Sequence, residues 1–186
     1  REDRRHIRDA DIARIQEATA LPLNLEMAAT DEMLEIALRH RPHAACIVPE
    51  KREERTTEGG LDAAAMHNTV VRYVDRLSAA GIRVSLFIEP EARQIEAAIR
   101  LGAPVVEFHT GAYALAEGEA RTQELTRITN AAALAAKSKT AAAISSSLAA
   151  EKYQLNIIEA GVQDHSGNAT RFLVLGSECA SPSAND

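Results

Sequence analysis

The sequence predicts an α/β fold in which strands and helices alternate along the chain around a parallel sheet. Short apolar runs rich in Val, Ile and Leu alternate with longer stretches of helical spacing, which is the pattern of successive βα units. The chain has 186 residues, of which 46% are hydrophobic but only 3% are aromatic. A core of small aliphatic side chains packed on helices is therefore favoured over an all-β core.

Individual elements follow from these runs and from the residues that separate them. The predicted strands are residues 23–27, 45–50, 83–89 and 105–110, and the predicted helices are residues 8–19, 30–40, 62–80, 91–101 and 117–137. Thr30 is the expected N-cap of the second helix, because its hydroxyl can accept a hydrogen bond from a free backbone N–H group. Gly81 and Gly102 stand where helices should end, since glycine accepts the left-handed backbone of a C-terminal cap.

The alternation of strands and helices breaks off after residue 137. Residues 138–176 predict a small helix-strand appendage, and the short polar stretch 177–186 predicts a disordered tail. The first 137 residues are therefore expected to form one α/β region and the remainder a separate piece.

Charge and cysteine content exclude several classes of function. The net charge is −6, with 21 basic and 27 acidic side chains, so no broad positive field exists for nucleic acid. Cys46 and Cys179 are far apart and form no CxxC pair, which argues against a disulfide framework or a zinc ribbon. No apolar run approaches the roughly 20 residues of a membrane span. We expect a cytoplasmic protein without a metal site, a cofactor, or a nucleic-acid or membrane partner.

Carboxylates lie at or near the C-terminal ends of the four predicted strands, as Glu26, Glu50, Glu89 and Glu107. Active sites of parallel α/β sheets lie at these ends, so four acids can ring one pocket. The alternative for each acid is that it caps a helix or pairs with a nearby base. Glu89 is the weakest candidate because Pro90 follows it and it can simply start a helix, whereas Glu26 and Glu107 are flanked by apolar residues.

The strand at 105–110 raises a problem of burial. Alternation places Glu107 and His109 on one face, opposite Val106 and Phe108. An unpaired buried carboxylate costs several kcal/mol. This pair of titratable groups therefore needs either partners or a chemical role.

Two further segments have competing interpretations. Residues 48–62, VPEKREERTTEGGLD, contain a Gly59-Gly60 pair and two threonines, which suits a loop that closes over a ligand but also fits an ordinary surface loop. The opening run REDRRHIR is read from composition as a solvated helix start rather than an anion site.

Five blocks of sequence resemble pyridoxine 5'-phosphate synthases in order and spacing. They are REDRRHI at 1–7, NLEM at 24–27, VPEKREERTTEGGLD at 48–62, VSLFIEP at 84–90 and GAPVVEFHTGAYA at 102–114. The resemblance implies a (β/α)8 TIM-type barrel, of which residues 1–137 would supply about four βα units, and a homo-octamer. It also implies condensation of 1-deoxy-D-xylulose 5-phosphate with 3-amino-2-oxopropyl phosphate in vitamin B6 biosynthesis.

Site residues follow from the same resemblance. Glu26 matches an acid/base carboxylate, and Glu107 matches a residue that stabilises the transition state. Arg1, His6 and Thr56 match contacts to the deoxyxylulose phosphate, which changes the interpretation of the opening run to a substrate-binding one. His109 is assigned no step, and an orienting or packing role is expected for it.

The family pattern is incomplete in this chain. Two strands that precede the match and a late glycine-histidine loop are absent from the sequence. A half barrel of this kind leaves two open sheet edges, so we expect poor stability or association into oligomers.

A second resemblance covers the end of the chain. Residues 141–176 are similar to the C-terminal end of a prephenate dehydratase catalytic domain, with Asn168, Thr170, Arg171 and Phe172 in its last motif. The alternatives to vitamin B6 synthesis are therefore a segment for aromatic amino acid biosynthesis and a non-catalytic fragment that binds phosphorylated sugars.

Overall fold

The computed structural model describes residues 7–50 and 59–136, and all of them belong to the first of two units of the chain, Arg1–Leu155. The elements in order are α1 (Asp9–Ala18), β1 (Asn24–Met27), α2 (Asp31–His40), β2 (Ala44–Ile47), α3 (His67–Ala79), β3 (Arg83–Ile88), α4 (Ala92–Arg100), β4 (Val105–Phe108), α5 (Gly111–Leu115) and α6 (Gly118–Ala136). The appendage and tail expected after residue 137 lie outside the described residues.

The four strands form one sheet in the order β1-β2-β3-β4, and every neighbouring pair is parallel. At least one helix follows each strand. Strands that are adjacent both in sequence and in the sheet, with helical connections, are the arrangement of successive units of a TIM-type barrel. The predicted α/β fold with about four βα units is confirmed.

One face of the sheet packs against the helices and carries the core. Its side chains are Leu25, Met27, Ala45, Ile47, Val84, Leu86 and Ile88, all at most 8% exposed, with Val106 and Phe108 partly buried against them. Because side chains alternate along a strand, the intervening residues point to the opposite side, here called the inner face. The inner face carries Asn24, Glu26, Ala44, Cys46, Arg83, Ser85, Phe87, Val105 and Glu107.

Helix boundaries agree with the sequence signals at three of the expected places. The Thr30 hydroxyl oxygen accepts a hydrogen bond from the N–H of Met33 at 3.3 Å at the start of α2. Gly81 and Gly102 follow α3 and α4 with φ of +78° and +73°, the left-handed conformation that glycine tolerates.

The predicted helix at 62–80 begins only at His67. The reason is a turn before it, in which the Asp62 carboxylate accepts hydrogen bonds from the N–H of Ala65 at 3.1 Å and from the side-chain amide of Gln94 at 2.9 Å. Aspartate competes in this way with helical hydrogen bonding. The five-residue helix α5 was not predicted, because so short a segment shows no helical period.

Candidate active site

Four polar side chains form a row across the inner face, here called the polar row: Glu26, Cys46, Ser85 and Glu107. Glu26 of β1 is in register with Cys46 of β2, and Cys46 is in register with Ser85 of β3. The Ser85 hydroxyl donates a hydrogen bond to Glu107 Oε1 of β4 at 2.6 Å. The two acids predicted from the sequence therefore lie on the same face, with a thiol and a hydroxyl between them.

Burial differs along the polar row. Cys46 and Ser85 are 3% and 4% exposed, whereas Glu107 is half-buried and Glu26 is exposed. Both carboxylates are open to solvent or a ligand, while the groups between them are fixed in the sheet. The sheet thus holds two acids in fixed positions, which is what acid/base catalysis requires.

Burial raises the pKa of the Cys46 thiol to about 12, and the charges of Glu107 and Glu26 add to that effect, while the hydrogen bond with Ser85 acts in the opposite direction. The thiol is therefore protonated at neutral pH. Since the thiolate is the nucleophile and the metal ligand, Cys46 is suited to neither role and acts as a small packed side chain.

A second group of side chains lies beyond the polar row, at the carboxyl ends of β3 and β4. Glu89 is fully buried, and its Oε1 atom accepts a hydrogen bond from the Gly60 N–H at 2.8 Å. The same oxygen lies 3.0 Å from Nδ1 of His109. Arg127 of α6 approaches the other carboxylate oxygen, with 3.9 Å between Nη2 and Oε2.

These contacts correct the interpretation of Glu89 as a helix start. Helix α4 begins at Ala92 with Glu91 as its N-cap, and Glu89 instead points into the protein. Local sequence could not show this, because its partner Gly60 is 29 residues away. Glu50, the remaining strand-end acid, is half-buried beyond the end of β2.

The end of the charged loop is attached to β3. The N–H of Leu61 donates to the carbonyl oxygen of Phe87 at 2.7 Å, next to the bond between Gly60 and Glu89. Residues 51–58 of this loop, with Thr56, lie outside the described residues, as do Arg1 and His6. Residues 141–176, which carry the second resemblance, lie outside them too.

Sequence reasoning missed Ser85 and Cys46. Both are small residues inside otherwise apolar strands; Cys46 was considered only for disulfide and zinc spacing, and Ser85 was not considered individually. The available signal was their position: Ser85 is four residues before Glu89 in the same strand run, so it had to share a face with that acid.

Two kinds of feature are missing from residues 7–50 and 59–136. No group of three or more His, Cys, Asp or Glu side chains is placed there to hold a metal ion. None of the helices in these ranges has both the length and the apolar character needed to cross a membrane.

Comparison with known protein families shows which family this chain belongs to. The family model described as pyridoxal phosphate biosynthesis protein PdxJ matches residues 1–152. The chain belongs to this family. Its recognition from five sequence blocks is confirmed, and the polar row lies within the matched PdxJ segment.

Curated PdxJ relatives are highly similar over the same region. The chain is 67% identical over 132 residues to a protein of Jannaschia sp. (strain CCS1), which covers 69% of this chain and 53% of that protein. It is 63% identical over 135 residues to a protein of Zymomonas mobilis, covering 73% and 53%, and 65% identical over 133 residues to one of Rhodospirillum rubrum, covering 71% and 53%. All three are named pyridoxine 5'-phosphate synthase, and the chain spans about half the length of these relatives.

Proposed function

We propose that this chain carries the activity, or a large part of the active site, of a pyridoxine 5'-phosphate synthase. The reaction condenses 1-deoxy-D-xylulose 5-phosphate with 3-amino-2-oxopropyl phosphate to give pyridoxine 5'-phosphate, inorganic phosphate and water. The observation that carries the proposal is the polar row, which brings Glu26 and Glu107 to one face in a chain of the PdxJ family.

Glu26 is the proposed acid/base residue. Joining an amine to a ketone and closing an aromatic ring requires repeated proton transfers and losses of water. A carboxylate that reaches solvent can take up and return protons between these steps. Glu26 is exposed at the edge of the polar row, which supports this assignment.

Glu107 is the proposed electrostatic stabiliser. Condensation of an amine with a carbonyl group passes through positively charged nitrogen intermediates, and a fixed carboxylate lowers their free energy. The hydrogen bond from Ser85 at 2.6 Å restricts the carboxylate of Glu107 to one orientation. Such preorganisation removes a cost that a mobile side chain would incur during the reaction.

Substrate binding is proposed for Arg1, His6 and Thr56. A guanidinium group forms paired hydrogen bonds with phosphate oxygens, and imidazole and hydroxyl groups can bind the remaining phosphate or sugar oxygens. The proposal for these three residues rests on their match to the family pattern.

We also propose the wider setting of this activity. The protein acts in the cytoplasm on small phosphorylated substrates, without nucleic acid or membrane partners, and it assembles as a homo-oligomer, an octamer in its complete form. Residues 1–137 contribute the partial barrel, 138–176 a separate prephenate dehydratase-like segment and 177–186 a disordered tail. The outer positions of β1 and β4 among the described strands support association, because parallel edges need partners.

A direct assay tests the proposed activity. The chain is incubated with both phosphorylated substrates, and pyridoxine 5'-phosphate is measured by chromatography and mass spectrometry. Glu26→Gln and Glu107→Gln should each lower kcat by about 10²-fold or more, because each removes a charged group that acts on the reacting atoms.

Glu96→Gln is the matched control, since Glu96 is exposed on α4 and should leave kcat unchanged. Absence of product from the wild-type chain, or product formation that survives both site substitutions, would contradict the proposal. Binding of deoxyxylulose phosphate without turnover would identify a non-catalytic sugar-phosphate site instead.

A further inference from the structure

Glu89 is a buried acid to which the proposed reaction assigns no step. It is 0% exposed and follows the last residue of β3, two positions beyond Phe87 of the inner face. His109 stands in the same relation to Glu107 on β4. Glu89 and His109 therefore form the layer directly beyond the polar row, at the carboxyl edge of the sheet.

Three separate segments converge on the Glu89 carboxylate. Gly60 donates its N–H at 2.8 Å, His109 places Nδ1 at 3.0 Å and Arg127 places Nη2 at 3.9 Å. The His109 contact is a close approach of Nδ1 to the carboxylate without the geometry of a hydrogen bond. One carboxylate thus connects the end of the β2–α3 loop, the end of β4 and helix α6.

The surroundings of Glu89 and His109 leave no room for larger residues at two glycines. A Cβ atom at position 60 would lie 2.7 Å from the backbone N of Glu89, and one at position 111 would lie 2.6 Å from Cε1 of His109. The ring of Phe87 contacts His109 edge to face, with 5.5 Å between ring centroids. The imidazole is therefore held on several sides.

Stability alone is a poor explanation for this acid. Replacing a buried charged cluster by apolar side chains is often neutral or stabilising, because burying ions costs more than their attraction returns. The groups around Glu89 are also specific in kind, since a backbone N–H, an imidazole and a guanidinium all favour a carboxylate.

We propose that Glu89 is a positioning residue, which acts through His109 and Gly60 to fix two backbone segments, the end of β4 that carries Glu107 and the end of the β2–α3 loop. The structure shows these contacts, whereas their role in catalysis rests on the proposed function. His109 is two residues from Glu107 on the same face, so displacement of His109 changes the surroundings of that acid.

The first test measures amide hydrogen exchange in the 186-residue chain by NMR. In Glu89→Leu, the Gly60 amide should exchange at least about tenfold faster, because its charged acceptor is lost. In Glu89→Gln, which keeps an oxygen acceptor, the rate should stay within about twofold of wild type. The Tm of Glu89→Leu should be lower than that of wild type, because the buried Gly60 N–H loses its acceptor and the partners of the carboxylate remain, but the amides of the four strands should keep their protection.

Glu91→Gln is the matched control. Glu91 also approaches Arg127, at 3.8 Å, but is exposed, so neither Gly60 exchange nor turnover should change. Unchanged Gly60 exchange in Glu89→Leu would overturn the proposal. Loss of protection throughout the sheet would also overturn it, because the role of Glu89 would then be structural.

The second test separates positioning from the proposed function. With both phosphorylated substrates, Glu89→Leu should lower kcat at least about tenfold with little change in KM, and Glu89→Gln, which keeps the oxygen acceptor for Gly60, should recover part of the loss. An active wild type with unaffected variants would overturn the positioning role. An inactive wild type would instead contradict the proposed function, while the exchange result would still decide whether Glu89 holds Gly60.

Discussion

At the scale of single residues, the hydroxyl of Ser85 has the clearest chemical consequence in the polar row. It is 4% exposed and donates to the half-buried carboxylate of Glu107. A buried donor directed at an anion contributes more than a neutral pair, on the order of 1.5 to 3 kcal/mol. Ser85 therefore decides how Glu107 is oriented, although it touches no substrate in the proposed reaction.

Ser85→Ala should lower kcat of the proposed condensation about tenfold while KM changes little, because an oriented charge matters in the transition state. Steady-state kinetics with both substrates measures this separation. Ser78→Ala, at an exposed position near the end of α3, should leave both constants unchanged. Equal loss in the two variants would rule out the orienting role.

The Cys46 thiol predicts a pH dependence of stability. Its pKa rises from an ordinary value of 9.0 to about 12 in the folded chain, so the folded state favours the protonated form. The stabilisation is complete below pH 9 and is lost as pH rises towards about 12. Cys46→Ser removes the titrating group but keeps a small polar side chain.

Urea unfolding at pH 7.5, 9 and 10.5 measures this effect as a difference between the two proteins. The free energy of unfolding of wild type should decline more steeply above pH 9 than that of Cys46→Ser. Tyrosine and lysine titrations affect both proteins equally and cancel in the comparison. Parallel pH profiles would show that Cys46 is not protected by burial.

At the scale of elements, local sequence and tertiary packing each stabilise a different part of helix α2. Its buried face consists of Met33, Leu34, Ile36 and Ala37, and its first turn carries Asp31 and Glu32, which interact favourably with the helix dipole. Thr30 closes the N-terminus through its hydroxyl. The cap at Thr30 is predicted by local sequence, whereas the burial of the four apolar side chains depends on tertiary packing.

Thr30→Ala should destabilise the chain by about 1 kcal/mol, because the N–H of Met33 loses its acceptor. Thr122→Ala is the matched comparison, since that hydroxyl bonds only within helix α6, to Gly118 at 3.5 Å. Alanine there should be neutral or slightly stabilising, by a few tenths of a kcal/mol. Thermal or urea unfolding of both variants checks the difference, and an equal effect would refute the capping role.

At the scale of the whole molecule, sequence patterns accounted for the order of the described elements other than α5, but not for the contacts between distant residues. Hydrophobic periods of two residues for strands and 3.6 residues for helices predicted four strands and five helices. The alternation of side chains along a strand placed Glu107 and His109 on one face. The links from Ser85 to Glu107 and from Gly60 to Glu89 depend on strand order and register, which no local pattern contains. These links surround the candidate site, where small polar residues take the place of apolar ones.

The open sheet predicts association in solution. The described strands end in β1 on one side and β4 on the other, and parallel edges are rarely left unpaired. Size-exclusion chromatography with light scattering should therefore give a mass above the 20.1 kDa of one chain. A compact monomer that melts cooperatively would contradict this expectation.

Helix α6 is held to the rest of the protein in an unusual way. It packs on α4 and α5 but buries only Ala131 and Ala135, which have little apolar surface to contribute. Its Arg127 approaches three carboxylates, those of Glu124 at 2.9 Å, Glu91 at 3.8 Å and Glu89 at 3.9 Å. Ionic strength screens such attraction, so added salt should weaken the packing of α6 at lower concentrations than those that disturb the sheet. The surroundings of Glu89 should therefore change with salt concentration, whereas the polar row should not.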